Sequence, residues 1–124
     1  MNILNALQNS LLFSKLKEEE LKQVEAIVLL KKVKKNKSIF LENEEAKGFY
    51  LLISGSVKLC KSTVDGREMV LHFVRPFETF AEAALFANGK YPASAKTLLD
   101  SEVIYIPKDG FMELIKNNPE FTLT

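Results

Sequence analysis

The chain has no tryptophan, one cysteine and one histidine among its 124 residues. The lone Cys60 leaves no partner for an intrachain disulfide and excludes a zinc or iron–sulfur site made of four thiolates of this chain. The lone His72 excludes a multi-histidine metal centre, including the ligand sets of cupin-type oxygenases. No serine stands at a recognisable spacing from this histidine as a nucleophile beside its base, so we do not expect an enzyme.

Long apolar runs and an excess of charge of one sign are also lacking. No apolar stretch reaches the roughly 18 residues that span a bilayer, and the N-terminus lacks the pattern of a signal peptide, so we expect a cytoplasmic protein without membrane contact. The net charge of +1 argues against a dominant nucleic-acid-binding face. Hydrophobic residues make up 47% of the chain, which supports a single domain with one core over residues 1–124.

Two segments have the periodicity of helices. Apolar residues between Leu16 and Val28 recur near a 3.6-residue period, which predicts an N-terminal helix over residues 14–28 with Ser14 as its N-cap. The segment "KDGFMELIKNN" predicts a C-terminal helix over residues 108–118, and Pro119 disfavours its continuation.

The segment between them, about residues 29–107, has the pattern of short strands. The run "FYLLISGSVKLC" predicts two strand pieces, or one strand bent at Gly55. Asp65-Gly66 predicts a hairpin with positive φ at both turn positions. The strand after it, "MVLHFV", is largely apolar on both faces, so we expect it to be covered on both sides. Short strands joined by tight turns predict an antiparallel sandwich or barrel.

Several motifs occur in a fixed order: "LLISGSVKL", the "DGRE" hairpin, Pro76, "FAEAALF" and "YPASAKTLLDSEVIYIP". Together they resemble the sensor domain of the CRP/FNR family of bacterial transcription regulators. The resemblance implies a mainly β fold with flanking helices, a double-stranded β-helix or jelly roll of the cyclic-nucleotide-binding type. It also implies that the full-length regulator is a homodimer. Its dimerisation helix and helix-turn-helix domain are not in this sequence, so DNA would be contacted only through that C-terminal domain.

The resemblance further implies a ligand pocket. In relatives that bind cyclic AMP, a carboxylate accepts a hydrogen bond from the ribose 2′-hydroxyl, backbone amides face the phosphate, and an arginine pairs with it. Glu82 matches the carboxylate, whereas Tyr91 stands at the arginine position and Pro92 at that of a neighbouring hydroxyl residue. The candidate pocket comprises Phe80, Ala81, Glu82, Ala83, Ala84, Tyr91, Pro92, Ala93 and Ser94.

Without the arginine, a standard cyclic AMP receptor is not expected, because a charge-assisted bond to phosphate contributes roughly 1.5–3 kcal/mol. The effector is left open. One alternative is a genuine cyclic-nucleotide-binding module, in a regulator or in a channel or kinase, that uses Glu82 and backbone amides. Another candidate is haem, with His72 as its iron ligand.

Simpler roles compete for the same residues. Glu82 also fits a carboxylate that caps amides of its own short helix. Tyr91, Pro92 and Ser94 fit ordinary residues at a strand entry, with Pro92 making the turn rigid. The run from Lys31 to Lys37 favours a solvated edge strand over a contact to DNA. Cys60 fits a small buried hydrophobic side chain.

Overall fold

A computed structural model describes residues 3–85 and 89–118. The helices are α1 (Ile3–Asn9), α2 (Glu18–Ile27) and α3 (Lys108–Asn117), with a short 3₁₀ turn at Glu82–Leu85. The strands are β1 (Leu29–Val33), β2 (Ser38–Phe40), β3 (Gly48–Ser54), β4 (Val57–Ser62), β5 (Glu68–Val74), β6 (Thr79–Phe80), β7 (Ser94–Thr97) and β8 (Ser101–Pro107). None of the helices in these two ranges is long and apolar enough to cross a bilayer.

The strands form two four-stranded antiparallel sheets, in the orders β1-β8-β3-β6 and β2-β7-β4-β5. Neighbours in each sheet are mostly distant in sequence, and strands that follow one another in the chain often change sheet. This is the topology of a jelly roll flanked by helices. The predicted fold class is confirmed.

The central strand β3 is buried on both of its faces up to Ile53. Phe49 packs edge-on against Phe111 of α3, with ring centroids 5.0 Å apart. The next side chain, Tyr50, points the other way and stacks on Phe40 of β2 at 5.6 Å. The helices therefore cover one side of the first sheet and the second sheet covers the other, which explains why β3 is apolar without alternation.

The N-terminal segment differs from the predicted helix over residues 14–28. The helix α2 begins only at Glu18, because the Lys17 N–H donates to Glu20 Oε1 at 2.8 Å and closes the first turn there. Ser14 is not the N-cap, since its hydroxyl donates to the Leu11 carbonyl at 3.2 Å. A separate helix, α1, precedes this segment and was not predicted.

The turn between β4 and β5 is longer than the predicted two-residue hairpin. The Thr63 N–H donates to the Arg67 carbonyl at 2.7 Å, which closes a loop around Asp65 and Gly66. Of Asp65 and Gly66, only Gly66 has positive φ, at 84°, so the prediction of positive φ at Asp65 is wrong. The Thr63 hydroxyl donates a hydrogen bond to the Asp65 carboxylate, which stabilises this longer turn.

The prediction that β5 is covered on both sides is also wrong. The strand is at the edge of its sheet and pairs with β4. The side chains of Met69, Leu71 and Phe73 are 47%, 50% and 56% exposed. An apolar composition on both faces does not reveal where a strand stands in the sheet order. That order depends on pairings between residues far apart in sequence.

The opposite sheet ends in β1, which carries the first lysines of the basic run. Lys31 and Lys32 are exposed, and β1 pairs with β8. The prediction of a solvated edge strand is confirmed for Lys31 and Lys32, whose charged side chains protect this edge from pairing with another chain. The lysines from Lys34 onward lie in the connection to β2 instead.

Candidate ligand-binding site

The predicted pocket residues do not all face one space. Glu82 lines a cavity of about 390 Å³ against the connection between α1 and α2. Tyr91 lines a different cavity, of about 450 Å³, on the side of β1 and β8. The first cavity is lined by Leu11, Leu12, Lys15, Thr79 and Glu82. The second is lined by Lys31, Ile39, Phe40, Glu44, Glu45, Lys47, Tyr50, Tyr91 and Tyr105.

Phe80 and Tyr91 belong to a stack of aromatic rings between the two sheets. Phe80 packs on Tyr50 with ring centroids 5.4 Å apart, and Tyr50 packs on Phe40 at 5.6 Å. Phe40 in turn stacks on Tyr91 at 3.9 Å. Side chains of the chain itself therefore fill this end of the roll.

The Tyr91 side chain is directed into the protein and is only 4% exposed. Its hydroxyl donates to the Gly48 carbonyl at 2.7 Å. Burial raises the pKa of Tyr91, and the nearby Tyr50 and Tyr105 hydroxyls raise it further. Tyr91 is thus a neutral residue that bonds the backbone of β3, and it supplies no positive charge.

The three residues after Tyr91 differ in their exposure and contacts. Pro92 is exposed and Ala93 is buried. The Ser94 hydroxyl accepts a hydrogen bond from the Glu42 N–H at 2.8 Å, which ties β7 to the segment after β2. Ser94 is the first residue of β7.

Glu82 stands at the start of the 3₁₀ turn, and it is partly buried. Its Oε2 atom is fully covered and has no hydrogen-bond partner within residues 3–85 and 89–118. Among the described residues, no hydrogen bond shows it capping its own turn. Ala81 before it has a left-handed φ of 74°, which is strained for a residue with a Cβ. Ala83 is exposed and Ala84 is buried.

His72 lies on the exposed edge strand rather than in an enclosed pocket. Its side chain is 53% exposed, and its Nε2 atom is 3.4 Å from Glu78 Oε1. Within residues 3–85 and 89–118, no group of three or more His, Cys, Asp or Glu side chains is placed to hold a metal ion. Cys60 is buried and free.

Residues 30–118 match the family described as the cyclic nucleotide-binding domain. The chain belongs to this family. The match begins in β1 and extends through α3, so it covers the whole roll.

Two curated relatives of this cyclic nucleotide-binding domain are regulators by name. A "CRP-like cAMP-activated global transcriptional regulator" from Mycobacterium tuberculosis is 31% identical over 85 residues, which cover 68% of this chain and 38% of the relative. An "Anaerobic regulatory protein" from Bacillus subtilis is 34% identical over 96 residues, which cover 76% of this chain and 40% of the relative. The aligned part thus spans less than half of either regulator.

Among solved structures, the sensor domain of the transcriptional regulator DNR from Pseudomonas aeruginosa is similar, with a TM-score of 0.88 and 30% identity. The similarity covers 96% of this chain and 80% of that one. The resemblance to CRP/FNR sensor domains is therefore confirmed.

The sequence did not point to three residues of this cyclic nucleotide-binding domain that surround Tyr91, namely Phe40, Tyr50 and Tyr105. A signal was present, because Tyr50 and Tyr105 each place a hydroxyl inside an otherwise apolar strand run. A buried tyrosine hydroxyl needs a polar partner. Two such residues suggest a common polar space, but their pairing across β3 and β8 is visible only in the sheet.

Proposed function

We propose that this chain is the effector-sensing domain of a CRP/FNR-type transcription regulator and that it is not a standard cyclic AMP receptor. The observation that carries the second part is Tyr91. At the position that the resemblance assigns to the phosphate-binding arginine, this side chain is 4% exposed and bonded to the Gly48 carbonyl. A residue fixed in that way offers a phosphate no charge.

Apart from Lys15, which lines the same cavity as Glu82, the charges that remain do not favour a cyclic phosphate. Glu82 would bring a carboxylate close to the anion, and like charges repel. Lys90 is exposed and its backbone pairs with that of Glu45. A lysine also lacks the planar fork with which arginine holds phosphate. Losing a bond of roughly 1.5–3 kcal/mol weakens binding by about ten- to a hundredfold.

The mechanism we propose is a population shift. An effector that binds one arrangement of the roll better than another biases the elements that follow it. In the full regulator, those elements would be a dimerisation helix and a DNA-binding domain, and the regulator would act as a cytoplasmic homodimer. The domain would bind and transmit, without catalysing a reaction.

Glu82 supports an alternative, a genuine cyclic-nucleotide-binding module. Its Oε2 atom is buried and has no hydrogen-bond partner in the part of the chain that the structure describes, so a ribose hydroxyl would supply the missing donor. This module would hold the phosphate with backbone amides of the turn that begins at Glu82.

A calorimetric titration with cyclic AMP, with cyclic GMP beside it, decides between the two. We expect binding of cyclic AMP to be about ten- to a hundredfold weaker than micromolar, or to give no heat at all. Micromolar binding of cyclic AMP that is lost in Glu82→Ala would overturn our proposal and establish the alternative. A haem effector would be tested separately, by adding haemin and following its absorbance in the natural protein and in His72→Ala.

A further inference from the structure

All three tyrosines of the chain meet in one cleft. We call it the tyrosine cleft, and it has a volume of about 450 Å³. Tyr50, Tyr91 and Tyr105 form its walls, and Lys31 and Glu44 are among the charged residues at its rim. The three tyrosines come from separate parts of the chain, and the chain has no tryptophan.

The sheet and one loop hold the cleft in shape. Tyr50 of β3 and Tyr105 of β8 are directly opposite each other in the ladder, and their ring centroids are 5.2 Å apart. The Tyr91 N–H donates to the Glu44 carbonyl at 3.0 Å, and the Asn43 N–H donates to the Tyr91 carbonyl at 2.8 Å. These bonds fix the connection between β2 and β3 beside the rings, so the walls are preformed.

The cleft already holds a cation that belongs to the chain. The Lys31 ammonium lies 4.6 Å from the centroid of the Tyr105 ring, which is within the range of a cation–π contact. Lys31 is an exposed side chain on the edge strand β1, so its ammonium can move into solvent at little cost. The contact shows that the face of Tyr105 accepts an alkylammonium group.

Glu44 adds negative charge to the surroundings of the rings. Burial raises the pKa of Tyr50 to about 12, and the charges of Tyr105 and Glu44 act in the same direction. Of the two rim carboxylates, Glu45 is paired with Lys47 at 3.8 Å. Among the described residues, Glu44 has no ion pair, and its Oε1 atom accepts only the Leu41 N–H at 2.6 Å. One rim carboxylate therefore keeps its charge available to a cation.

We propose that the tyrosine cleft binds a small organic cation of the alkylammonium class, which takes the face of Tyr105 that the Lys31 ammonium covers. The ring supplies the cation–π attraction, and Glu44 supplies the opposite charge. The tyrosine cleft is separate from the cavity that Glu82 lines, although Tyr91 of the candidate pocket belongs to the cleft. A cation in the tyrosine cleft would therefore act as a second ligand.

Choline is the probe, and its uncharged analogue 3,3-dimethyl-1-butanol is the matched control. Since the chain has no tryptophan, its intrinsic fluorescence comes from tyrosine, and all the tyrosines line the cleft. We expect a saturable fluorescence change with choline in the millimolar range and none with the alcohol. A titration with sodium chloride at the same ionic strength as choline controls for unspecific effects of salt on the fluorescence. An equal response to the alcohol would overturn the proposal.

Substitutions sharpen the test. Lys31→Met frees the ring face and is expected to tighten choline binding by about two- to fivefold, while Tyr105→Leu weakens it by a similar factor. Tyr105→Phe keeps the ring and should bind like the natural protein. Circular dichroism checks the folding of each variant. If Tyr105→Leu does not fold, Lys31→Met decides alone, and unchanged or weaker binding in it refutes the proposal. The cyclic AMP titration is independent of either outcome.

Discussion

Two glycines of positive φ offer a matched test of how the roll is closed. Gly55 stands between β3 and β4 with φ of 100°, and Gly66 stands in the next turn with φ of 84°. A Cβ at Gly55 would lie 2.7 Å from the Asp100 carbonyl oxygen and 2.7 Å from Ser101 Cα, and still closer to Ser101 Oγ. A Cβ at Gly66 would meet nothing within 4 Å. The two sites share backbone strain and differ in steric overlap.

The expected cost of each substitution follows from these contacts. Both Gly55→Ala and Gly66→Ala force a residue with a Cβ into a left-handed conformation, at about 1–2 kcal/mol. Gly55→Ala adds an overlap with backbone that cannot rotate away, for which overpacking costs of about 1–3 kcal/mol are typical. It also displaces the Ser101 hydroxyl, which accepts the Ser56 N–H at 3.1 Å. We expect losses of about 1–2 kcal/mol at Gly66 and about 2–5 kcal/mol at Gly55.

Urea unfolding followed by far-ultraviolet circular dichroism measures both free energies of unfolding, provided the m-value stays constant. The natural protein and the two variants are compared under one set of conditions. Equal losses in the two variants would refute the argument, because the close approach of Gly55 to Asp100 and Ser101 would then carry no energetic weight.

Four further outcomes are expected. Tyr50 should ionise at about pH 12 instead of near 10. The stability that its neutral form contributes is therefore present below pH 10 and is lost as the pH rises toward 12. An alkaline titration measures the ionisation by phenolate absorbance and the loss of structure by circular dichroism. Phe73→Thr should change the free energy of unfolding by less than about 1 kcal/mol, whereas Phe49→Ala should cost about 3–5 kcal/mol, and urea unfolding that ranks them the other way contradicts the exposed position of β5. Ala81→Gly should stabilise the domain by roughly 1 kcal/mol in the same assay by relieving its positive φ, and a loss of stability would contradict strain there. Cys60, whose thiol pKa is raised by burial first and by Glu68 second, should react with iodoacetamide much more slowly in the folded protein than in urea, and equal rates would contradict its burial.

The sequence predicted well those elements that depend on residues within the element itself. The helix α3 follows from its own apolar face and begins at Lys108, as expected. The break at Gly55 follows from the residue itself, because its positive φ is unfavourable for other residues. The start of α2 was misplaced. The helix begins after Lys17, whose N–H donates to Glu20, because the Ser14 hydroxyl donates to the Leu11 carbonyl and does not cap a helix.

The candidate site was only partly predictable. The resemblance pointed to Glu82 and Tyr91 in one pocket, and the structure places them against different cavities. Neither residue type nor spacing tells which way a side chain turns at the entry to a strand. Tyr91 turns inward because the Gly48 carbonyl accepts its hydroxyl and Phe40 offers a ring to stack on. Both partners are more than 40 residues away in sequence.

The sequence by itself determined the family and the mainly β class, since residue identity and order suffice for these. The tertiary structure alone decided that β5 is an exposed edge and that Tyr50, Tyr91 and Tyr105 share a cleft. The physical reason is that sheet order and ring stacking arise from pairings between strands far apart in the chain. The burial of a strand therefore depends on which strand pairs with it as well as on how apolar its own residues are.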